Sequence, residues 1–391
     1  MKQQTNPLES LVQSVNALGI GLFGKLNASQ DEPESSSLRN RMISPASIGF
    51  ALSMLREGAL DETAVEMDGV LDSVLDENAS LGSLQQNLRE RLSSADPSVQ
   101  LEIANALWSQ VGHPVSETYQ EALRVHYGAE SREINFREPA AADIINRWVS
   151  DSTHGKIDQL VDGGTLSGLS SYLANAVYFK GMWSEPFNPS QTTDRPFFSS
   201  ESEGGKSVDV PTMKRSGRYA YLDAEGFRAV RLPYGEVRAF DMLLALPDSG
   251  RTLQDFHAEQ LPRWTEWNER FASARGTVEL PKFKLETSLR LNEALMGLGI
   301  HKAFDALESD FGGMGQGNGQ PIGAIAHKTF IEVDEEGTEA AAVTGIARAG
   351  AAFPPEEPFE LKLNRPFFFA ITDRTTGLIV FMGEVGNPLE S

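Results

Sequence analysis

The sequence predicts an α+β fold, and three observations carry that reading. Over residues 1 to about 160 the apolar positions recur mainly at helical steps of three and four. From Leu173 onward the chain turns to short runs rich in β-branched and aromatic residues, bounded by Gly, Pro or Asp. The two kinds of segment do not alternate, as a parallel βαβ fold would require. At 391 residues the chain is long enough for two or three domains of about 150 residues, or for one large, intimately packed unit.

The elements follow in order. Leu8, Leu11, Val12, Val15, Leu18, Leu22 and Leu26 lie on one face of an amphipathic helix of about five turns, which the polar stretch DEPESSSLRN ends. Ser44 is a good N-cap and Pro45 suits the first helical position. Ile48, Ala51, Leu52 and Leu55 then keep helical spacing until Gly58. Residues from about 60 to 160 continue as helices, one of them around Ala142–Ser150, with LEIANALWSQ reading as a strand between them. The later strands are YLANAVYFK, FDMLLALP, TVELPKFKLE, HKTFIEVDEEG, FELKLN, FFFAITD and GLIVFMGEV. Pro281 inside the third of these predicts a bulge or an edge. The run GGMGQGNG at Gly312–Gly319 reads as a flexible loop, and no internal repeat is visible.

Composition narrows the function. Hydrophobic residues make up 40% of the chain and charged residues 23%, the balance of a globular protein with a sizeable core. With 55 acidic against 34 basic residues, the net charge of −21 repels nucleic acid and anionic membranes. No apolar run approaches the length of a membrane span, and the start lacks a basic n-region leading into an apolar h-region. The absence of cysteine removes disulfides, thiol catalysis and Cys-based metal sites. None of the six histidines pairs at zinc-binding helical spacing, and no GxSxG, GxxxxGK or GxGxxG pattern occurs. No metal, cofactor or catalytic residue is therefore expected.

The unusual segment is EEGTEAAAVTGIARAGAAF at 335–353, where small residues dominate and, after Glu339, Arg348 is the one charged side chain before Pro354-Pro355. Taken alone it reads as a low-complexity linker, although nothing in it blocks its becoming a strand. It has company. ISPASIGFALSMLREGA, INRWVSDSTHGKIDQLV, LANAVYFKGMWSEPF, LPKFKLE, VDEEGTEAAAVT, LNRPFFFAI and GLIVFMGEVGNP occur in this order between Ile43 and Pro388, and together they resemble the serpin family of protease inhibitors.

The resemblance implies one serpin domain over residues 1–391. It implies three β-sheets, about nine helices and an exposed reactive loop at about 335–357. It further implies a single-use inhibitor of serine endopeptidases, with cysteine endopeptidases as a second class, of prokaryotic or intracellular character. In this family a protease cleaves the loop, the loop enters the main sheet as a new strand, and the covalent acyl-enzyme complex is trapped. Glu335, Gly337, Thr338, Glu339, Ala340, Ala341 and Ala342 match the hinge. With period two, Thr338, Ala340, Ala342, Thr344 and Ile346 would face the interior.

Family spacing puts the reactive bond thirteen residues beyond Thr338, at Ala351-Ala352, which suits elastase-like or subtilisin-like enzymes. Arg348 has inward parity, and an unpaired charge inside a sheet is costly. Either it meets the solvated lower end of the sheet, or it is itself the reactive residue of a shorter loop for trypsin-like enzymes. Phe353 is a further option.

Ser44, Ser47, Asn175 and His327 match the polar cluster beneath the centre of the main sheet, although His327 alone would read as a hydrogen-bonded core histidine. Trp183 and a Lys282–Glu335 pair match the top of the sheet, where such a pair on its own would be a surface contact of about 0–1 kcal/mol. The expected partner is a target serine protease. The chain is expected to be a monomer, without nucleic-acid or membrane binding. Heparin-type activation is not expected, since residues 72–95 carry only Arg89 and Arg91 as cations. By resemblance the protein works in the extracellular space, with the cytoplasm as the alternative. A non-inhibitory carrier or chaperone on the same fold is the competing function, and the small residues of the hinge weigh against it.

Overall fold

The computed structural model describes residues 6–28, 40–71, 80–198, 206–315, 319–338 and 357–390. The first helix, α1 (Pro7–Ala28), buries the predicted face, with Leu11, Val15 and Leu22 each 5% exposed or less. After β1 (Arg41–Ile43), helix α2 (Pro45–Gly58) starts where Ser44 accepts a hydrogen bond from the Ser47 N–H at 3.2 Å. Nearly all of α2 is buried, so it is the central helix of the core and not a surface one. Then come α3 (Asp61–Leu71), α4 (Leu81–Ser94), α5 (Glu117–Ala122) with a π-helical turn at Leu123–Tyr127, and α6 (Ala140–Ser152). Three short helices follow much later: α7 (Leu253–Glu259), α8 (Trp264–Asn268) and α9 (Asn292–Met296).

A six-stranded sheet carries, in spatial order, β10 (Phe283–Arg290), β11 (Ala324–Val333), β12 (Gly337–Thr338), β4 (Ser171–Met182), β2 (Val99–Gln110) and β3 (Glu130–Ile134). The second ladder runs β1, β15 (Ile379–Val385), β14 (Phe367–Asp373), β8 (Phe240–Pro247), β7 (Phe227–Tyr234), β6 (Ser207–Ala224), β9 (Ala272–Pro281) and β13 (Phe359–Lys362), with β5 (Thr193–Phe198) also on β6. The expected second and third sheets share the long strands β6 and β9, so their hydrogen bonds form one continuous nine-stranded ladder.

Alternation sets the two faces of the six-stranded sheet. Leu173, Val177 and Phe179 enter the main core over α2, whereas Ala174 and Ala176 face a smaller core under α6, where Trp108 and Trp148 meet edge to face at 6.3 Å. The expected strand TVELPKFKLE is two strands, because the chain leaves the nine-stranded ladder after Pro281 and joins the six-stranded sheet at Phe283. The strands β6 and β7 had no sequence expectation. One face of β6 is solvated, and its Lys214, Arg215, Ser216, Gly217 and Arg218 hide the alternation. The run GGMGQGNG opens with a 3₁₀ turn at Gly312–Met314, and Met314 is buried.

At the centre of the six-stranded sheet is a seam. Strands β4 and β11 pair in parallel only from Ala324↔Tyr172 to Thr329↔Val177. Above that the two strands part, and the two residues of β12 stand between their far ends, with Gly337 opposite Met182 and Thr338 opposite Gly181 on one side and Val333 on the other.

Candidate functional site at the sheet seam

At the top of the seam stand the described residues of the expected hinge. Gly337 has φ of 153°, and a Cβ there would lie 2.2 Å from the Gly181 carbonyl oxygen, so only glycine fits. Asp334 closes the preceding turn by accepting from the N–H groups of Glu336 at 2.9 Å and Gly337 at 3.2 Å. Thr338 is 1% exposed, and its Oγ1 lies 2.7 Å from the Tyr234 hydroxyl. Burial pushes the Tyr234 phenol far above its ordinary range, so it stays a neutral hydrogen-bonding group. The Tyr234 ring stacks on Trp183 at 4.3 Å. The Trp183 Nε1–H donates to the Asp334 carbonyl at 2.9 Å, and its backbone N–H donates to Glu336 at 2.8 Å.

Lys282 and Glu335 do pair, with Nζ 2.8 Å from Oε2, while Thr192 Oγ1 donates to the other carboxylate oxygen at 2.7 Å. Burial pushes the Glu335 carboxyl up, but the hydrogen bonds from Lys282 and Thr192 outweigh it and hold the group below the usual carboxylate value. Glu335 is thus tied to the link between β9 and β10 and to the segment after β4 at once.

Lower down, where β4 and β11 still pair, Asn175 and His327 are direct partners in the register. The four predicted cluster residues meet there. His327 accepts the Ser44 N–H through Nε2 at 3.0 Å and faces Asn175 Oδ1 through Nδ1, an arrangement that requires the Nδ1–H tautomer. Desolvation lowers its pKa to about 3, so the imidazole is neutral. Asn175 Nδ2 reaches Ser47 O at 3.1 Å and Ser47 Oγ at 2.5 Å, and Ser44 Oγ donates to the Val380 carbonyl at 2.6 Å. Strand, helix and second sheet are joined at one buried point.

Sequence reasoning missed Asn105 on β2, which accepts from Asn175 Nδ2 at 2.5 Å and extends the cluster across a third strand. The signal was present: the triplet Ala-Asn-Ala occurs at 104–106 and at 174–176, and the two asparagines face each other. It also missed Tyr234, whose role comes from a contact 104 positions along the chain.

Over the outer face of the seam lies the segment after α6. On one side His154 Nε2 meets Glu102 of β2 at 3.0 Å and its ring packs on Tyr178 of β4 at 5.0 Å. On the other, Lys328 of β11 donates to the Gln159 carbonyl at 2.5 Å and the Lys156 ammonium sits 5.6 Å from the Phe330 ring centre. The strap spans both banks.

The remaining predicted residues, Glu339, Ala340, Ala341, Ala342, Arg348, Ala351 and Ala352, lie outside the described residues. Among the described residues no group of three or more His, Asp or Glu side chains is placed to hold a metal ion, and no helix is long and apolar enough to cross a membrane.

A profile of the family described as Serpin (serine protease inhibitor) matches residues 13–388. An uncharacterised serpin-like protein of Thermococcus kodakarensis is 35% identical over 97% of this chain and 86% of its own length. Leukocyte elastase inhibitor A of Mus musculus is 33% identical over 97% of this chain and all of its own. Among solved structures, Serpin48 of the insect Tenebrio molitor, described as a highly specific serpin, aligns with a TM-score of 0.84 at 28% identity over 99% of both chains. Human thyroxine-binding globulin complexed with its hormone aligns with a TM-score of 0.85 at 25% identity over 98% of this chain and all of that one. The chain belongs to the serpin family.

Proposed function

We propose that this protein is a suicide-substrate inhibitor of serine endopeptidases, consumed once per protease and not itself an enzyme. The observation that carries the reading is the parted seam with Gly337 and Thr338 already standing at its mouth. Cleavage of the reactive loop frees its hinge side to continue down the seam, drawing the acyl-enzyme with it before water can release it.

The docked pair sets the register of that strand. Continuing from Gly337↔Met182 and Thr338↔Gly181, Thr344 comes opposite Asn175 and Arg348 opposite Ser171, the first residue of β4. Arg348 would therefore reach the end of the sheet and its guanidinium could be solvated, which answers the objection to its inward parity and leaves Ala351-Ala352 as the favoured reactive bond. The protease would travel about the length of β4, roughly 40 Å at ~3.3 Å per residue. A small residue at 351 favours elastase-like or subtilisin-like targets.

Strand β4 cannot separate from β11 without breaking the Asn175–His327 contact and lifting the strap from one bank. The buried cluster and the strap would then hold the sheet closed until cleavage. The test is incubation with a panel of pancreatic elastase, subtilisin and trypsin, followed by denaturing gels and sequencing of the released peptide. Expected are a denaturant-resistant complex with elastase or subtilisin and a peptide beginning at Ala352. A peptide beginning at Ala349 would move the reactive residue to Arg348. Cleavage without any complex, by every protease, would overturn inhibition in favour of a binding role of the kind named for thyroxine-binding globulin.

Thr338→Arg is the internal control. It places a charge in the buried seam, and the expected outcome is complete cleavage with no complex. Persistence of the complex would refute insertion from this hinge.

A further inference from the structure

A cleft of about 300 Å³ lies between α4, the edge of β2 and the end of α6, away from the seam's hinge. It exists because β3 pairs only with Ala106–Gln110, leaving the edge of β2 from Leu101 to Asn105 uncovered by a strand. Leu92, Leu101, Ile103 and Trp148 supply the apolar part of its walls, beside Ser93, Glu102, Glu130 and Ser152.

Two buried donors among its lining residues have no acceptor: Arg89 Nε and Asn105 Nδ2. The Arg89 guanidinium lies over Gly128, with Nη2 3.3 Å from the Val125 carbonyl in the middle of the π-helical turn, so only part of its donor capacity is used. Asn105 is 3% exposed and its Oδ1 is committed to Asn175. Unmet buried N–H groups are unfavourable until an acceptor reaches them. The two carboxylates at the rim are already engaged, Glu130 with Arg132 at 2.7 Å and Glu102 with His154 at 3.0 Å.

We propose that this cleft is a binding site for a small apolar carboxylate, such as a medium-chain fatty acid, whose head accepts from Arg89 and Asn105 and whose tail lies along Leu101, Ile103 and Trp148. An apolar stretch of wall beside two unmet donors, one of them cationic, suits an anionic head with an apolar tail better than it suits a cation. The head reaches Arg89 Nε by swinging the guanidinium off Gly128. A bound ligand would also tie β2 to α4 through Asn105, one bond from the Asn175–His327 pair. On the inhibitor reading, which this consequence rests on, occupancy slows the parting of the seam.

The site itself is tested on the isolated protein by calorimetric titration with sodium octanoate, so it stands or falls apart from any protease assay. Expected is saturable one-to-one binding. Octan-1-ol, lacking the anionic head, and the Arg89→Leu variant should each bind at least about tenfold more weakly. Ser93→Trp, on the exposed side of α4, fills the cleft without touching either donor and should abolish binding while the melting temperature stays near the parent value.

No saturable binding, equal affinity for octanol, or unchanged affinity in Ser93→Trp would each overturn the proposal. The clamp is read separately as a severalfold slower formation of the elastase complex in saturating octanoate. Binding with an unchanged rate refutes the clamp and leaves the site standing.

Discussion

The neutral imidazole of His327 makes a measurable demand on pH. In the folded protein its pKa is about 3 because it is fully buried, against an ordinary value near 6.5 in the unfolded chain. Between those values the unfolded state binds a proton that the folded state refuses. The stabilisation is therefore complete above pH 6.5 and is lost as the pH falls toward 3. Going from about pH 7 to about pH 5, the loss from this one group is about 2 kcal/mol. For a chain of 391 residues that unfolds as a unit, at about 2 cal/mol/K of entropy per residue, this is about 2–3 °C of melting temperature.

A second buried pair could confuse the reading. Burial pushes His257 down to about 4 and Glu384 up to about 7, and their side chains lie 3.5 Å apart. Their slopes have opposite sign, since the unfolded state takes the extra proton at His257 and the folded state holds it at Glu384. Over most of pH 5 to about 6.5 they cancel. The assay is differential scanning fluorimetry across this range on the parent and on His327→Gln, which keeps a neutral polar group in the cluster. The parent should lose about 2–3 °C more than the variant. Equal pH slopes, or an imidazole carbon signal for His327 that titrates near pH 6, would refute the neutral buried histidine.

Other perturbations separate strong contacts from weak ones. Tyr234→Phe leaves Thr338 Oγ1 buried without its partner, at a cost of about 1–3 kcal/mol, and should raise the rate of proteolysis on the hinge side by about tenfold or more while the melting temperature of the rest changes little. Gly337→Val adds strain at φ 153° and a clash with the Gly181 carbonyl, so the hinge should leave the seam, with the change read as a shift in the emission of Trp183, whose ring stacks on Tyr234. Lys282→Ala removes a pair whose lysine side chain is 39% exposed, and should change stability by less than about 1 kcal/mol, measured by urea titration.

How much of this was legible depended on how local the cause was. The cap at Ser44-Pro45 and the seven-residue face of α1 are set within a few turns of chain, and both stand where the sequence put them. Asn175 and His327 were reachable only through the resemblance, because their meaning comes from a parallel pairing across 152 positions. The Ala-Asn-Ala repeat that marks Asn105 needed no resemblance, only the thought that two strands with one odd polar residue at the same phase lie side by side. The resemblance gave Thr338 only an inward parity on insertion, and its docking in the present fold was not legible. A two-residue strand has no periodicity, and its place is decided by Tyr234 and Val333, which approach it from different sheets.

On the insertion proposed above, that docking would also account for the pattern of small residues beyond it. In the register fixed by Thr338↔Gly181, the first three residues to follow would enter the gap already open opposite Lys180, Phe179 and Tyr178, where β4 and β11 no longer pair. Six more would have to replace the pairs between β4 and β11 one by one, from Val177 down to Tyr172. Each replacement would exchange one ladder for two, so the whole strand would gain about ten hydrogen bonds at roughly 1 kcal/mol each, enough to make such an entry one-way. The costly step is the one at Asn175, where a partner in a fully buried polar cluster is taken away. The inward residue that arrives there is Thr344, a hydroxyl in a series otherwise made of Ala340, Ala342 and Ile346. Apolar side chains suit the positions over Leu173, Val177 and Phe179, and one hydrogen-bonding side chain suits the position over Asn175. On the proposed insertion, the sequence after Thr338 would thus be complementary, residue by residue, to the strand it would pair with.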